Sequence, residues 1–199
     1  MNLVKLVVLG APAVGKTSII RQFVWNEFTD EYITTEIKQL FFPSVFINDH
    51  LYEMKISDVP TIPYFPANSF HEWTQLKLHG LRSAHAYILV FDLTSPDTFQ
   101  YVKNLRDQIF ETRNMQNVPV FVVGNKHDLS VSRDRREIAS LVKKHWKCGY
   151  IECSARYNWH IVLLFKEIMK ALDDVQFGQK PGSATVRLEG LRRNKCVIL

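Results

Sequence analysis

The sequence predicts an α/β protein whose mostly parallel sheet carries helices on both faces. Three observations support this. Apolar runs rich in Val, Ile and Phe alternate with segments of helical period. The runs are almost continuously apolar, as strands buried on both faces are. The first of them, Leu6-Val7-Val8-Leu9, leads straight into a glycine-bearing turn and a segment with a helical apolar face, Ile19, Ile20, Phe23 and Val24. With 199 residues, 46% of them hydrophobic and 23% charged, the chain suits one globular domain with a sizeable core.

Taken in order, Leu3 to Leu9 reads as a strand and Lys16 to Val24 as a helix. Leu40 to Ile47 and Leu51 to Ile56 are separated by Asn48-Asp49-His50, so they read as a hairpin with an antiparallel edge strand; Pro43 suits that edge. Between Asp58 and Pro66, the prolines Pro60, Pro63 and Pro66 remove backbone donors and predict an extended surface loop. Strand Ala86 to Phe91 is followed by helix Asp97 to Thr112, strand Val118 to Val123 by helix Arg135 to Trp146, and strand Tyr150 to Cys153 by helix Ile161 to Leu172. Six strands result. Residues 1–177 form the expected domain, and 178–199, dominated by Gly, Pro, Ser and Arg, a flexible basic tail.

Three cysteines, Cys148, Cys153 and Cys196, do not form a disulfide framework and fit a reducing compartment. No segment has the roughly 18 apolar residues of a membrane span, and the N-terminus lacks a signal-peptide layout. Of the net charge of +5, the last twenty residues carry +4: Lys180, Arg187, Arg192, Arg193 and Lys195 against Glu189. A nucleic-acid-binding domain would show its basic patch on the folded body, so the tail points to an anionic surface instead.

Gly10-Ala11-Pro12-Ala13-Val14-Gly15-Lys16-Thr17 matches the phosphate-binding pattern G-x-x-x-x-G-K-[ST], with Ser18 next in the helix. Such a loop curls backbone N–H groups around an anion at a helix N-terminus; Lys16 adds a point charge and Thr17 a hydroxyl for Mg²⁺. Asn125-Lys126-His127-Asp128 follows an apolar strand, at the end where α/β sheets bind ligands. A carboxylate at Asp128 accepts from both N1–H and the 2-amino group of guanine, whereas adenine offers neither donor. Discrimination of roughly 10⁴-fold or more follows from such bonds.

On these motifs the chain resembles the Ras superfamily of small GTPases over nearly its whole length, which implies a P-loop NTPase G domain binding GTP or GDP with Mg²⁺. The segment Ser154-Ala155-Arg156 resembles the family's S-A-[KR] loop, with the amide of Ala155 as donor to the guanine oxygen. Phe28 stands where the family places an aromatic against the base, and Thr35 resembles the switch threonine that joins Mg²⁺ when the γ-phosphate is present. Asp58 corresponds to the carboxylate that holds a magnesium-bound water, and Val59, Pro60 and Thr61 follow it toward the γ-phosphate. Lys147-Cys148-Gly149-Tyr150 and Tyr157-Asn158-Trp159-His160 are most similar to an atypical branch, Ras-like protein family member ten.

The departures from the family pattern concern catalysis. The second switch ordinarily begins D-x-x-G followed by a catalytic glutamine; here Thr61 replaces the glycine and Ile62 the glutamine. Ile62 cannot orient a water by hydrogen bonding, so GTP hydrolysis to GDP and phosphate is expected to be slow. Pro12-Ala13, in place of two glycines, should stiffen the phosphate loop and crowd a partner's arginine finger. Thr61 with its neighbouring prolines should mute the second switch and leave sensing to the first, around Thr35.

Cys196-Val197-Ile198-Leu199 is a C-a-a-X sequence whose leucine favours geranylgeranylation of Cys196, and Arg192, Arg193 and Lys195 supply a second membrane signal at about 1 kcal/mol each. The resulting expectation is a monomer on the cytoplasmic face of the cell membrane that binds effectors through the Thr35 region, with exchange and activating factors unspecified. Two rivals stand: a prenylated adaptor that is constitutively GTP-bound or insensitive to its nucleotide, and a P-loop kinase of small molecules, which leaves Asn125 to Asp128 and the Cys196 box unexplained. His145, Cys148, Cys153 and His160 have zinc-like residue types without the spacing of a finger or ribbon.

Overall fold

A computed structural model describes residues 3–47, 50–74, 76, 80–129 and 135–177. The basic tail and Cys196 lie outside the described residues. Val4–Gly10 forms β1 and Lys16–Trp25 forms α1. Gln39–Phe41 (β2), Ser44–Ile47 (β3) and His50–Asp58 (β4) follow, then the short helix α2, Ser69–Thr74. The second half comprises β5 (Ala86–Asp92), α3 (Pro96–Thr112), β6 (Val120–Asn125), α4 (Arg135–Ser140), β7 (Gly149–Glu152) and α5 (Ile161–Phe177).

The main strand order is β2-β4-β1-β5-β6-β7, with β3 also paired to β4. Pairs β4/β1, β1/β5, β5/β6 and β6/β7 are parallel; β2 and β3 run antiparallel to β4. Period-two alternation sorts each central strand between two cores. Leu6, Val8, Ile88 and Val90 face α1 and α5, joining Ile19, Ile20, Phe165 and Ile168. Val7, Leu9, Leu89 and Phe91 face the other way, joining Val102, Leu105 and Ile109 of α3. Helices on both faces therefore follow from one alternating strand pattern.

Among the described residues the sheet has seven strands, against the six expected. Pro43 is the reason: it has no N–H for the ladder, and the edge run divides around it into β2 and β3. The register nevertheless continues in step, with Phe41 opposite Ile56 and Ser44 opposite Glu53, and the Pro43 carbonyl accepts from Met54 N–H at 3.0 Å. The helix expected over Arg135 to Trp146 also divides. After Ser140 it widens into a π-helical turn, Leu141–His145, closed by Trp146 N–H to Leu141 O at 3.1 Å. Helix α2 was not expected. It starts at Asn68, whose Oδ1 accepts from His71 N–H at 2.8 Å and satisfies a first-turn donor.

Candidate functional site

The parallel strands bring Gly10, Asp58, Asp92, Asn125 and Glu152 to one edge of the sheet. From β1 the chain passes to β4 on one side and then to β5 on the other, and ligand crevices form at such reversals. Both loop glycines are demanded by close approach. A Cβ on Gly10 would lie 2.3 Å from Val90 O, and one on Gly15 would lie 2.3 Å from Asn125 Nδ2. Gly15 also has φ 91° where α1 begins. Ala13 sits in the left-handed region at φ 58° without that freedom.

Lys16 is folded back beneath the loop. Its Nζ donates to Gly10 O at 3.0 Å and Ala11 O at 2.9 Å, using two of three ammonium donors. Burial lowers its pKa, and the charge of Asp58 works against that shift. Ala11 and Val14 are buried, while Pro12 and Ala13 form the exposed tip.

Thr17, Thr35 and Asp58 converge although 41 positions separate the first from the last. Thr17 Oγ1 donates to Asp58 Oδ2 at 2.5 Å and lies 2.9 Å from Thr35 Oγ1. Asp58 is fully buried, and among the described residues its Oδ1 has no hydrogen-bond partner. Burial raises the Asp58 pKa; the Thr17 bond and the charges of Lys16 and Arg21 oppose that rise. Two hydroxyls and one carboxylate with an orphaned oxygen are the hard oxygen donors that Mg²⁺ takes, so the residues present fit that ion.

The expected base-side residues also meet. Asn125 is buried and braces two loops: Nδ2 donates to Val14 O at 2.9 Å, and Oδ1 accepts from Ala155 N–H at 3.1 Å. Ser154 Oγ donates to Asp128 Oδ1 at 2.5 Å. Lys126, at φ 64°, forms an ion pair with Asp92 at 2.7 Å. Burial pushes the Asp92 pKa up, but the bonds from Lys126 and Thr94 outweigh it and hold the carboxyl below its usual range. Phe28 is exposed on the neighbouring segment, whose Asp30 pairs with Arg156 at 3.4 Å. Sequence reasoning missed Asp92; its place after the apolar run Ala86 to Phe91 was the available signal.

The Asp58 to Pro66 segment is tied to the body. Val59, Ile62 and Phe65 are buried in the α3-side core, whereas Thr61 and Pro63 are exposed. Tyr101 Oη donates to Ile62 O at 2.6 Å, Phe65 N–H to Gln108 Oε1 at 2.7 Å, and Arg82 Nη1 to Pro66 O at 2.9 Å. These prolines thus lie in a segment with a buried apolar side, where a surface loop was expected. The zinc-like residues are divided: Cys148 belongs to the α3-side core and Cys153 to the α1 and α5 side.

A Ras family profile matches residues 5–174. The chain belongs to the Ras family. It is 46% identical to human (Homo sapiens) Ras-like protein family member 10B and 39% identical to Ras-like protein family member 10A of Mus musculus, each alignment covering 98% of both chains. GTP-binding protein Di-Ras2 of Macaca fascicularis is 29% identical, over 98% of this chain and 96% of its own. The likeness to Ras-like protein family member ten read from the sequence is therefore borne out. Ras-family proteins are small GTPases that bind GTP or GDP, typically with Mg²⁺, and engage effectors and regulators. Against that background, Ile62 is a core residue 3% exposed at the position where the family pattern has a polar catalytic side chain.

Proposed function

We propose that this chain holds a guanine nucleotide and Mg²⁺ at the carboxyl edge of the sheet, hydrolyses GTP slowly and signals from a membrane. The Thr17 hydroxyl, set between the Thr35 hydroxyl and the Asp58 carboxylate, whose other oxygen is buried and unpartnered among the described residues, carries the reading. Mg²⁺, when bound, would neutralise phosphate charge. Thr17 and Thr35 would offer it hydroxyls, and Asp58 would hold one of its waters. The loop from Gly10 through Ser18 would surround the phosphates, with Lys16, now bonded to the Gly10 and Ala11 carbonyls, turning toward the anion and Val59, Pro60 and Thr61 alongside the γ-phosphate. On the base side, Asp128 accepts from guanine, Asn125, Ser154 and Ala155 hold that edge, and Phe28, Lys126 and Arg156 flank the ring.

Slow hydrolysis is supported twice over. Ile62 has no hydrogen-bonding atom in its side chain, and its burial with the Tyr101 bond keeps it in the core rather than over a nucleotide. The exposed Tyr32, Ile33 and Ile37 around Thr35 supply an effector surface. For anchoring, the reading rests on Cys196-Val197-Ile198-Leu199 and the basic residues before it, with a geranylgeranyl group on Cys196.

The test is to purify the full chain in Mg²⁺, identify the extracted nucleotide and follow loaded GTP in a single turnover. Guanine nucleotide with slow decay is expected; an adenine nucleotide would overturn the reading, and rapid decay would overturn slow hydrolysis. A second reading, an adaptor whose shape hardly depends on nucleotide, is favoured by the pinning of Ile62, Phe65 and Pro66. Equal effector affinity in the GDP and GTP-analogue forms would select it.

A further inference from the structure

Beside the base-side loops lies a stack of three rings that the nucleotide reading does not use. The indole of Trp159 stands between two imidazoles, with ring centroids 4.2 Å from His127 and 3.5 Å from His160 and interplanar angles of 29° and 18°. His127 is the neighbour of Asp128. Trp159 closes the loop that carries Ser154 to Arg156, through reciprocal backbone bonds with Ser154, each 3.0 Å.

Glu152 backs the stack at its edge. Its Oε2 lies 3.6 Å from His127 Nε2 and 3.6 Å from Arg135 Nη2, Tyr150 Oη donates to its Oε1 at 3.0 Å, and its carbonyl lies 3.0 Å from His160 Nδ1. The backbone completes the joint: His127 N–H donates to Cys153 O at 3.1 Å. The stack thus joins the Asn125–Asp128 loop to the Ser154–Trp159 loop at the rim. The alternating left-handed residues Asn158 and His160, at φ 53° and 59°, turn the chain so that the Trp159 and His160 rings overlap. Non-glycine residues take that conformation at a cost.

We infer that Trp159 and His127 are positioning residues for guanine recognition: their stack fixes the separation of the two loops and thereby the orientation of the Asp128 carboxylate. This rests on the proposal that the site holds a guanine nucleotide. Three rings in close contact limit how far the loops that carry them can slide or separate, which a turn held by backbone bonds alone does not. Neither residue touches the base in this account; both act through Asp128 and Ser154, which are bonded to each other.

The experiment measures dissociation of labelled GDP and IDP from the full chain in Mg²⁺ by filter binding. IDP lacks the 2-amino group that Asp128 would accept from. Wild type is compared with Trp159→Ala, His127→Ala and Trp159→Phe, and with Trp73→Ala as an exposed tryptophan outside the site. Trp159→Ala and His127→Ala are expected to release GDP about tenfold faster, as expected for loss of ring contacts of ordinary strength, and to lose a similar factor in preference for GDP over IDP. Trp159→Phe should retain both within about twofold, and Trp73→Ala should match wild type. Equal acceleration of GDP and IDP, a purely structural effect, would overturn the inference, as would unchanged rates. A wild-type protein that retains neither nucleotide would overturn the guanine reading itself, a result distinct from a wild type that prefers GDP with variants that keep the preference.

Discussion

The stretch from Thr29 to Ile37 lies on the surface, with Tyr32, Ile33 and Ile37 exposed, and reaches the phosphate loop through the hydroxyl contact between Thr35 and Thr17. The stretch from Asp58 to Pro66 flanks the same site but buries Val59, Ile62 and Phe65 and gives backbone bonds to Tyr101, Gln108 and Arg82. A segment held by a hydroxyl pair and one exposed ion pair, Asp30 with Arg156, can rearrange when those groups change partner. A segment that must expose apolar side chains to move carries a cost of about 1.5–3 kcal/mol for each. The two stretches therefore differ in what holds them, and under the proposed function the first is the one free to report a nucleotide.

The largest expected effect breaks the second region. Ile62→Gln puts the family's polar residue where the structure has a core position, and it should destabilise the protein by about 3 kcal/mol through lost burial and an amide without a place in that core. Denaturant unfolding measures this, and single-turnover hydrolysis should change little. A tenfold gain in hydrolysis at unchanged stability would mean that the side chain at this position faces the nucleotide.

Next in size is the carboxylate shared by both regions. Burial raises the Asp58 pKa, so the folded metal-free protein holds its proton more tightly than the unfolded chain does. Its contribution to stability is thus complete below the ordinary carboxylate range and is lost as pH rises through the raised value. Asp58→Asn removes the buried charge while keeping a polar side chain there, so it should raise the melting temperature of the metal-free protein at pH 7 and should weaken the Mg²⁺ dependence of nucleotide retention. A thermal melt without Mg²⁺ in which the variant is the less stable protein would contradict the assignment.

Tyr101→Phe removes one hydroxyl and tests the comparison more finely. The loss of its bond to the Ile62 carbonyl should cost about 1 kcal/mol. Amide exchange should quicken across Val59 to Phe65 and stay unchanged across Thr29 to Ile37. Equal acceleration in both stretches would show that they move together.

The contrast was only partly legible in the sequence. Strand alternation in β1 and the spacing of Gly10, Gly15 and Lys16 were readable because they depend on residues within one turn or one strand. Convergence of Thr17, Thr35 and Asp58 was readable through the family likeness. The pins were not: Tyr101 lies 39 positions from Ile62, and Gln108 lies 43 from Phe65, so nothing local announces them. Ile62 illustrates the difficulty. Read along the chain it is the absence of a hydrogen-bonding group, whereas in three dimensions it is an apolar anchor. Asn125 likewise reads as a recognition residue, yet its amide spans from Val14 to Ala155. The division of the edge strand at Pro43 follows from a missing N–H, but its continuous register is set by β4 across the sheet.

The smallest expected effect concerns the phosphate loop between the two regions. Ala13 holds φ 58°, where an L-residue with a Cβ carries about 1–2 kcal/mol of strain. Replacement by glycine relieves that strain but adds about 0.4–1 kcal/mol of unfolded-chain entropy, so Ala13→Gly should stabilise the protein by about 0–1.6 kcal/mol, with the middle of that range below 1. Because Ala13 is exposed, no core packing is lost, and the sign of the melting shift reports the backbone alone. If the loop's stiffness contributes to the difference between the two stretches, Ala13→Gly should also raise amide exchange in residues 11–15 while leaving the pinned Asp58 to Pro66 stretch at its wild-type rate. A lowered melting temperature would mean that the left-handed turn is held without strain and that alanine suits it as well as glycine.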